Sequence, residues 1–382
     1  MTGSVLFYVQ HLLGIGHLRR AIYLVDALAR EKIGVTLVSG GEPLPELAGV
    51  AAERVVQLAP IRARDASYRD LVDNSGRPVD DALRAARRAA LLAAFAAARA
   101  DAIVIEAFPF ARRAFRFELE PLIEAAVARR PRALVLCSLR DIVVAPEKIE
   151  RRREIVSRVR ADFDAVLVHG DPSLIPLEAS FPEAAEIADQ LVYTGYVGAT
   201  GEPPGPQDGV GAGEVLVSAG GGAFGGALLT AALTARRQGC FADRGWRLLT
   251  GPNLAPAEFA VLTANLPDGV VVERYRPDFS QVLRRCRVSV SQAGYNTTLE
   301  VLAAGVAAVF VPFDEMLETE QALRAERLAT RGVVEMVAHS ELSPDRLAAA
   351  IERAVLRRPA TLAVDTAGAR RTALLISGAI SD

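Results

Sequence analysis

The stretch Val288-Ser289-Val290-Ser291-Gln292-Ala293-Gly294-Tyr295-Asn296-Thr297-Thr298-Leu299-Glu300 sets the organisation of the chain. A short valine-rich run enters a turn at Gly294, and a helical pattern opens near Asn296. Asn296 and Thr297 stand where helix-capping residues belong, because their side-chain oxygens can accept from the first free backbone N–H groups. Strand, glycine turn and helix in this order are the front half of a βαβ unit, whose next strand returns parallel to the first.

The same order recurs on both sides. In the second half, strands are expected at 215–218, 247–249, 270–272, 288–290, 307–311 and 333–336, with helices at 226–238, 256–264, 296–304 and 318–330. The first half reads likewise, with strands at 5–9, 35–38, 55–58, 102–105, 133–137, 165–168 and 191–193. Helices are expected there at 17–31, 79–99, 113–129 and 147–160. Uninterrupted runs of Val, Ile and Leu between helices indicate parallel sheets covered on both faces. Residues 195–213, GYVGATGEPPGPQDGVGAG, lose all periodicity and read as a linker. The expected fold is therefore α/β, with doubly wound domains at 1–194 and 214–382 facing each other across a cleft. The last helix of the second is free to return onto the first.

At 382 residues the chain exceeds what one hydrophobic core usually serves, which agrees with two domains. Hydrophobic residues at 51% and charged residues at 24% exclude a disordered chain. Lys plus Arg is 44 against 46 for Asp plus Glu, a net of −2, which argues against a dedicated nucleic-acid binder. Cys137, Cys240 and Cys286 are odd in number and far apart, so neither a disulfide framework nor a zinc-ligand spacing is present. The start, MTGSVLFYVQ, lacks the basic flank of a signal peptide. The apolar runs at 89–98 and 301–313 fall short of the ~20 residues a membrane helix needs. A cytoplasmic protein is expected. Residues 148–160 carry six basic side chains interleaved with Glu150 and Glu154, a pattern that favours a solvated helix face and leaves peripheral membrane contact open.

Three loops carry candidate chemistry. Gln10-His11-Leu12-Leu13-Gly14-Ile15-Gly16-His17 follows the first strand. Gly14 and Gly16 let backbone approach a ligand, and His17 at the helix entrance can act as a general base. The plainer alternative is a tight turn capped by His17. Ala219-Gly220-Gly221-Gly222-Ala223-Phe224-Gly225 joins strand to helix and suits a phosphate. It also fits the dinucleotide glycine spacing, but the second strand ends Leu249-Thr250-Gly251, without the acid that would hold a ribose. Glu300 lies four residues after Asn296 on the same helix face, where a carboxylate can accept both hydroxyls of a ribose; the alternative is a solvated glutamate on a capped helix. Glu106, after another strand, is the second candidate base, and Arg112, Arg113 and Arg116 beside it can attract an anionic acceptor.

The segment from Gln292 to Glu300 resembles the H-C-G-W-N-S-T-L-E segment of nucleotide-sugar glycosyltransferases of the GT-B fold, and is similar to the donor domain of MurG-like peptidoglycan N-acetylglucosaminyltransferases. Gly305-Val306, Val311-Pro312-Phe313 and Glu320-Gln321 keep that group's order. Tyr275-Arg276-Pro277-Asp278 resembles its nucleobase loop, and Gly14-Ile15-Gly16-His17 its N-terminal glycine loop. The resemblance implies two Rossmann-like domains, with the acceptor on the first and the donor on the second. It implies Glu300 on the donor ribose, Asn296 and Thr297 near the diphosphate with Gly220, Gly221 and Gly222, and Glu320 and Gln321 on the donor sugar. The backbone of Tyr275 and Arg276 would border the base. Gln292 stands where plant-type members place histidine, and Ala307 replaces the usual proline. The implied activity is inverting transfer from a nucleotide sugar, UDP-linked by preference, to a hydroxyl acceptor. No Asp-x-Asp element in a suitable loop is apparent, so neither metal nor cofactor is expected. Nucleotide-sugar hydrolysis or epimerisation, or nucleotide-sugar binding without catalysis, are the alternatives.

Overall fold

A computed structural model describes residues 3–12, 16–64, 70–198, 209–220, 225–252, 254–313, 319–357 and 364–381. The chain divides into two compact units. One takes residues 1–199 and, after a long excursion, 365–382; the other takes 200–364.

The first unit is built on β1 (Ser4–Val9), β2 (Gly34–Ser39), β3 (Arg54–Gln57), β4 (Ile61–Ala63), β5 (Leu71–Asp73), β6 (Ala102–Glu106), β7 (Leu134–Arg140), β8 (Ala165–His169) and β9 (Leu191–Tyr193). Its helices are α1 (Gly16–Arg30), α2 (Asp81–Ala98), α3 (Arg116–Ala128) and α4 (Ile149–Asp162). Seven strands form one sheet in the order β3-β2-β1-β6-β7-β8-β9, every pair parallel. β4 and β5 pair antiparallel outside it.

Alternation along β1 shows why both faces are covered. Leu6 and Tyr8 belong to a core with Leu91 and Phe95 of α2 and Leu119 and Leu122 of α3. Val5, Phe7 and Val9 point the other way, into a core with Leu24 and Leu28 of α1.

The second unit has β10 (Val215–Ser218), β11 (Trp246–Leu249), β12 (Val270–Glu273), β13 (Val288–Ser291), β14 (Ala308–Phe310) and β15 (Glu335–Met336). They pair in the order β12-β11-β10-β13-β14-β15, again all parallel. Its helices are α5 (Gly226–Arg237), α6 (Pro256–Thr263), α7 (Phe279–Arg285), α8 (Tyr295–Ala304), α9 (Glu320–Thr330) and α10 (Pro344–Leu356). Each sheet reverses its winding once, between β1 and β6 and between β10 and β13. Ligands of such sheets bind beyond the carboxyl ends of the strands at that reversal.

Two expectations change. α8 begins at Tyr295, with an extended Gly294 as its cap and no side-chain capping bond, so Asn296 and Thr297 lie inside the first turn rather than capping it. The stretch read as linker also starts too early: Tyr196 is 2% and Val197 0% exposed. They pack where the final helix, α11 (Gly368–Ser381), rejoins the first unit. Tyr196 N–H donates to Asp365 O at 2.7 Å, and Gly368 N–H donates to Tyr196 O at 3.1 Å. A Cβ at 368 would overlap the carbonyl oxygens of Gly195 and Tyr196, so only glycine fits this approach. Composition registered the glycines of 195–198 but could not register a partner segment that returns so much later in the chain.

Candidate active-site residues

The exit of β1 is clamped by buried polar groups. Gln10 Nε2 donates to the carbonyls of His11 at 2.8 Å and Ile61 at 2.9 Å, and Gln10 Oε1 accepts from Arg87 Nη2 at 3.0 Å. Arg87, on α2, also pairs with Glu118 of α3 at 2.6 Å, and Glu118 accepts from the Tyr8 hydroxyl at 2.6 Å. Taking these charges out of water is tolerable because each is paired and hydrogen-bonded. The exit of β1 is therefore firmly held.

His17 is the second residue of α1, and Glu106 is the last residue of β6, so the winding reversal brings them together. His17 Nδ1 lies 2.8 Å from Glu106 Oε1. The Glu106 side chain is 0% exposed and that of His17 23%. Arg20, one turn further along α1 and itself buried, also donates to Glu106 Oε1. Burial pushes the His17 pKa down to about 4, against the opposing pull of Glu106; the charges of Arg112 and Arg20 lower it further. Burial pushes the Glu106 carboxyl up, but His17, Arg20 and Arg112 outweigh it and hold the acid below the usual carboxylate range. At neutral pH the pair is thus a carboxylate and a neutral imidazole. A carboxylate only accepts, so Nδ1 carries the ring proton and Nε2 keeps its lone pair. That is the form a proton acceptor requires.

Glu106 is fully enclosed, and its position makes it the partner that orients His17; a direct role as base would need contact with substrate. Arg113 and Arg116, read as attractors for an anionic acceptor, instead pair with Glu154 of α4. His169 is closed off as well. Its ring lies between Ser138 Oγ at 2.9 Å and Thr194 Oγ1 at 2.8 Å, and burial pushes its pKa down to about 3.

In the second unit, Ser218 and Ser291 are register partners at the ends of β10 and β13. Gly220 has φ +70°, and a side chain there would come within 3.7 Å of Gln292 Oε1, so the two loops lie side by side. The start of α8 has no side-chain cap and no acidic residue in its first turn. Two nearby hydroxyls, Ser291 Oγ and Thr298 Oγ1, are buried without a partner among the described residues. A helix start with no side-chain cap and such hydroxyls beside it suits an anion.

One turn along α8, Glu300 Oε1 accepts from the Ser280 hydroxyl of α7 at 3.1 Å. Tyr275 is 59% exposed, whereas Arg276 is held by Asp278 at 2.8 Å and Glu273 at 3.2 Å. Glu320 and Gln321 open α9, and Gln321 Oε1 accepts from Phe313 N–H at 3.2 Å. Arg324 of α9 donates to Ala293 O at 2.7 Å, tying that helix to the β13 turn.

Gly14, Gly221 and Gly222 lie outside the described residues, while Gly16 is the first residue of α1. Sequence reasoning missed Arg20 and Arg324. The only trace of Arg20 was its spacing of three from His17, and of Arg324 its spacing of four from Glu320. Among the described residues no group of three His, Cys, Asp or Glu side chains could hold a metal ion. None of their helices is long and apolar enough to cross a membrane.

Residues 238–376 match the glycosyltransferase family 28 C-terminal domain. Over 107 residues the chain is 34% identical to the UDP-N-acetylglucosamine–N-acetylmuramyl-(pentapeptide) pyrophosphoryl-undecaprenol N-acetylglucosamine transferase of Rhizobium johnstonii, which is 28% of each chain. Over 168 residues it is 29% identical to an uncharacterised glycosyltransferase of Methanopyrus kandleri, 44% of this chain and 45% of that one. The chain thus spans less than half the length of these curated relatives.

Solved structures match over almost the whole chain. The calicheamicin glycosyltransferase CalG4 has a TM-score of 0.61 at 20% identity, covering 99% of this chain and 96% of that one. Acinetobacter baumannii MurG has 0.60 at 16% identity, covering 98% and 99%. The fold is that of the GT-B glycosyltransferases, with two Rossmann-like domains and parallel sheets.

Proposed function

We propose that the chain is a glycosyltransferase that moves a sugar from a nucleoside diphosphate to a hydroxyl acceptor, inverting the anomeric centre and using no metal. The observation that carries the proposal is the uncapped start of α8 with Glu300 one turn on, inside the stretch that matches the family 28 C-terminal domain. N–H groups and hydroxyls at that end suit a diphosphate, and the carboxylate suits a ribose. The name of the Rhizobium relative specifies a UDP-sugar, which favours UDP here.

In this mechanism His17 Nε2 takes the proton of the acceptor hydroxyl as that oxygen bonds to the anomeric carbon. The bond from that carbon to the diphosphate oxygen breaks, and the diphosphate leaves with the electron pair, its charge met by the α8 end and the Gly220 loop. Glu106 holds the ring in the required tautomer and stabilises the imidazolium that forms. The enzyme would work in the cytoplasm, where nucleotide sugars are made, with peripheral membrane contact reserved for a lipid-borne acceptor.

The test is a thermal-shift screen of UDP, dTDP, GDP and their sugars in EDTA, followed by nucleotide release with and without acceptor alcohols. Selective stabilisation by one nucleotide family is expected. Binding that EDTA abolishes refutes metal independence, and rapid release without any acceptor refutes transfer in favour of hydrolysis.

A further inference from the structure

Arg20 has no role in the mechanism as written, yet it is 3% exposed and its guanidinium reaches the same carboxylate oxygen as His17. We propose that Arg20 is a positioning residue for proton transfer: it holds Glu106 on His17 Nδ1 and opposes a positive charge on the ring.

Arg20 Nη2 lies 3.2 Å from His17 Nδ1. Both atoms face Glu106 Oε1, which can accept from both. Since Nδ1 spends its hydrogen on Glu106, Arg20 and His17 are two donors on one acceptor and share no bond with each other. A doubly protonated ring would place two cations side by side against one carboxylate. In a site this dry, that repulsion is strongly felt.

The charged groups acting on His17 are Glu106 on β6, Arg112 in the loop after it and Arg20 on its own helix. His169 on β8 and Cys137 on β7 sense the same Glu106 and Arg20 charges. Arg20 therefore sets two properties at once. It aims Glu106, and it adds to burial and Arg112, which act on the ring more strongly, in keeping His17 neutral well below neutral pH.

The inference rests on reading His17 as the proton acceptor, but one arm of its test does not. The chain has four histidines, so NMR of histidine-labelled protein can follow each ring, with His17→Gln identifying the signal. In wild type the His17 ring is expected to stay neutral down to about pH 4. In Arg20→Gln the titration should move up by at least about one pH unit, since a charge at this range shifts a pKa by roughly 1–3. Arg20→Lys should fall between the two, and Arg20→Met serves in place of Arg20→Gln if the latter does not fold. With a donor and acceptor in hand, the acid limb of kcat/KM should shift by the same amount.

A folded, uncharged variant whose His17 titrates as in wild type overturns the proposal, even if activity falls. A shifted titration with an unshifted rate profile instead upholds the grip of Arg20 on the pair and refutes His17 as the base.

Discussion

Glu106, itself buried, meets His17 Nδ1 at 2.8 Å, and the alternatives for these residues separate by substitution. His17→Ala should lower turnover by about 10²–10⁴-fold while leaving donor affinity nearly unchanged, as loss of a general base does; steady-state kinetics beside a nucleotide titration checks both. Glu300→Ala should weaken nucleotide binding at least ~10-fold, because charge-assisted bonds to ribose hydroxyls are worth about 1.5–3 kcal/mol each. Glu300→Gln should lose less, keeping an acceptor oxygen. Calorimetric titration of both folded variants decides the ribose assignment. The histidines also set a pH dependence of stability. His17 and His169 have folded-state pKa values near 4 and 3 against an ordinary 6.5, so below about 6.5 the unfolded chain takes up protons that the folded one refuses. Stability from this source is complete above that pH and is lost as pH falls through about 4 for His17 and about 3 for His169. The slope is roughly 1.4 kcal/mol per pH unit for each proton. Urea unfolding across this range should show the decline, and His169→Asn should flatten it.

At the scale of elements, the α8 end of the second unit depends on helices that hold one another in place. α9 is bolted to the β13 turn by Arg324, which is 1% exposed and donates to Ala293 O. Arg324→Ala should destabilise the second unit by about 1.5–3 kcal/mol, the worth of a buried bond from a charged group, and should raise the donor KM by displacing the turn. Chemical denaturation and kinetics together test it. Arg324→Lys is expected to recover part of the stability. Gly220 poses a backbone version of the same question. At φ +70°, Gly220→Ala adds about 1–2 kcal/mol of strain beside Gln292, and should cost nucleotide affinity more than fold. These elements differ in how legible they were. β13 and α8 declared themselves through a valine run, Gly294 and a helical pattern. α7 and α10 did not, because α7 has only seven residues and 333–356 was read no further than its strand. The capping role expected of Asn296 and Thr297 failed because an extended Gly294 turns the chain one residue earlier.

For the molecule as a whole, the chain leaves its first unit, builds the second and returns to finish the first. α11 buries Ala369, Thr372, Ala373 and Ile376, and its apolar residues join the core that contains Leu24 and Leu28 of α1. Ile376→Ala should cost about 2–5 kcal/mol, the range for emptying a core position, and hydrogen exchange should report the loss in β1 and α1 rather than in β10–β15. Gly368→Ala should be similarly local, since its Cβ meets backbone oxygens that cannot swing aside. What the sequence determined by itself was local: the strand runs, the helical periods and the glycine turns that follow strands, all set by neighbours a few residues apart. That was enough for two doubly wound sheets. What only the tertiary structure decided was which groups share an atom. That Glu106 meets His17, that Arg20 reaches the same oxygen and that residues 195–198 seat α11 all depend on segments from 86 to about 170 residues apart. Burial and charge at such distances in the chain come from packing, and no pattern of adjacent residues encodes them.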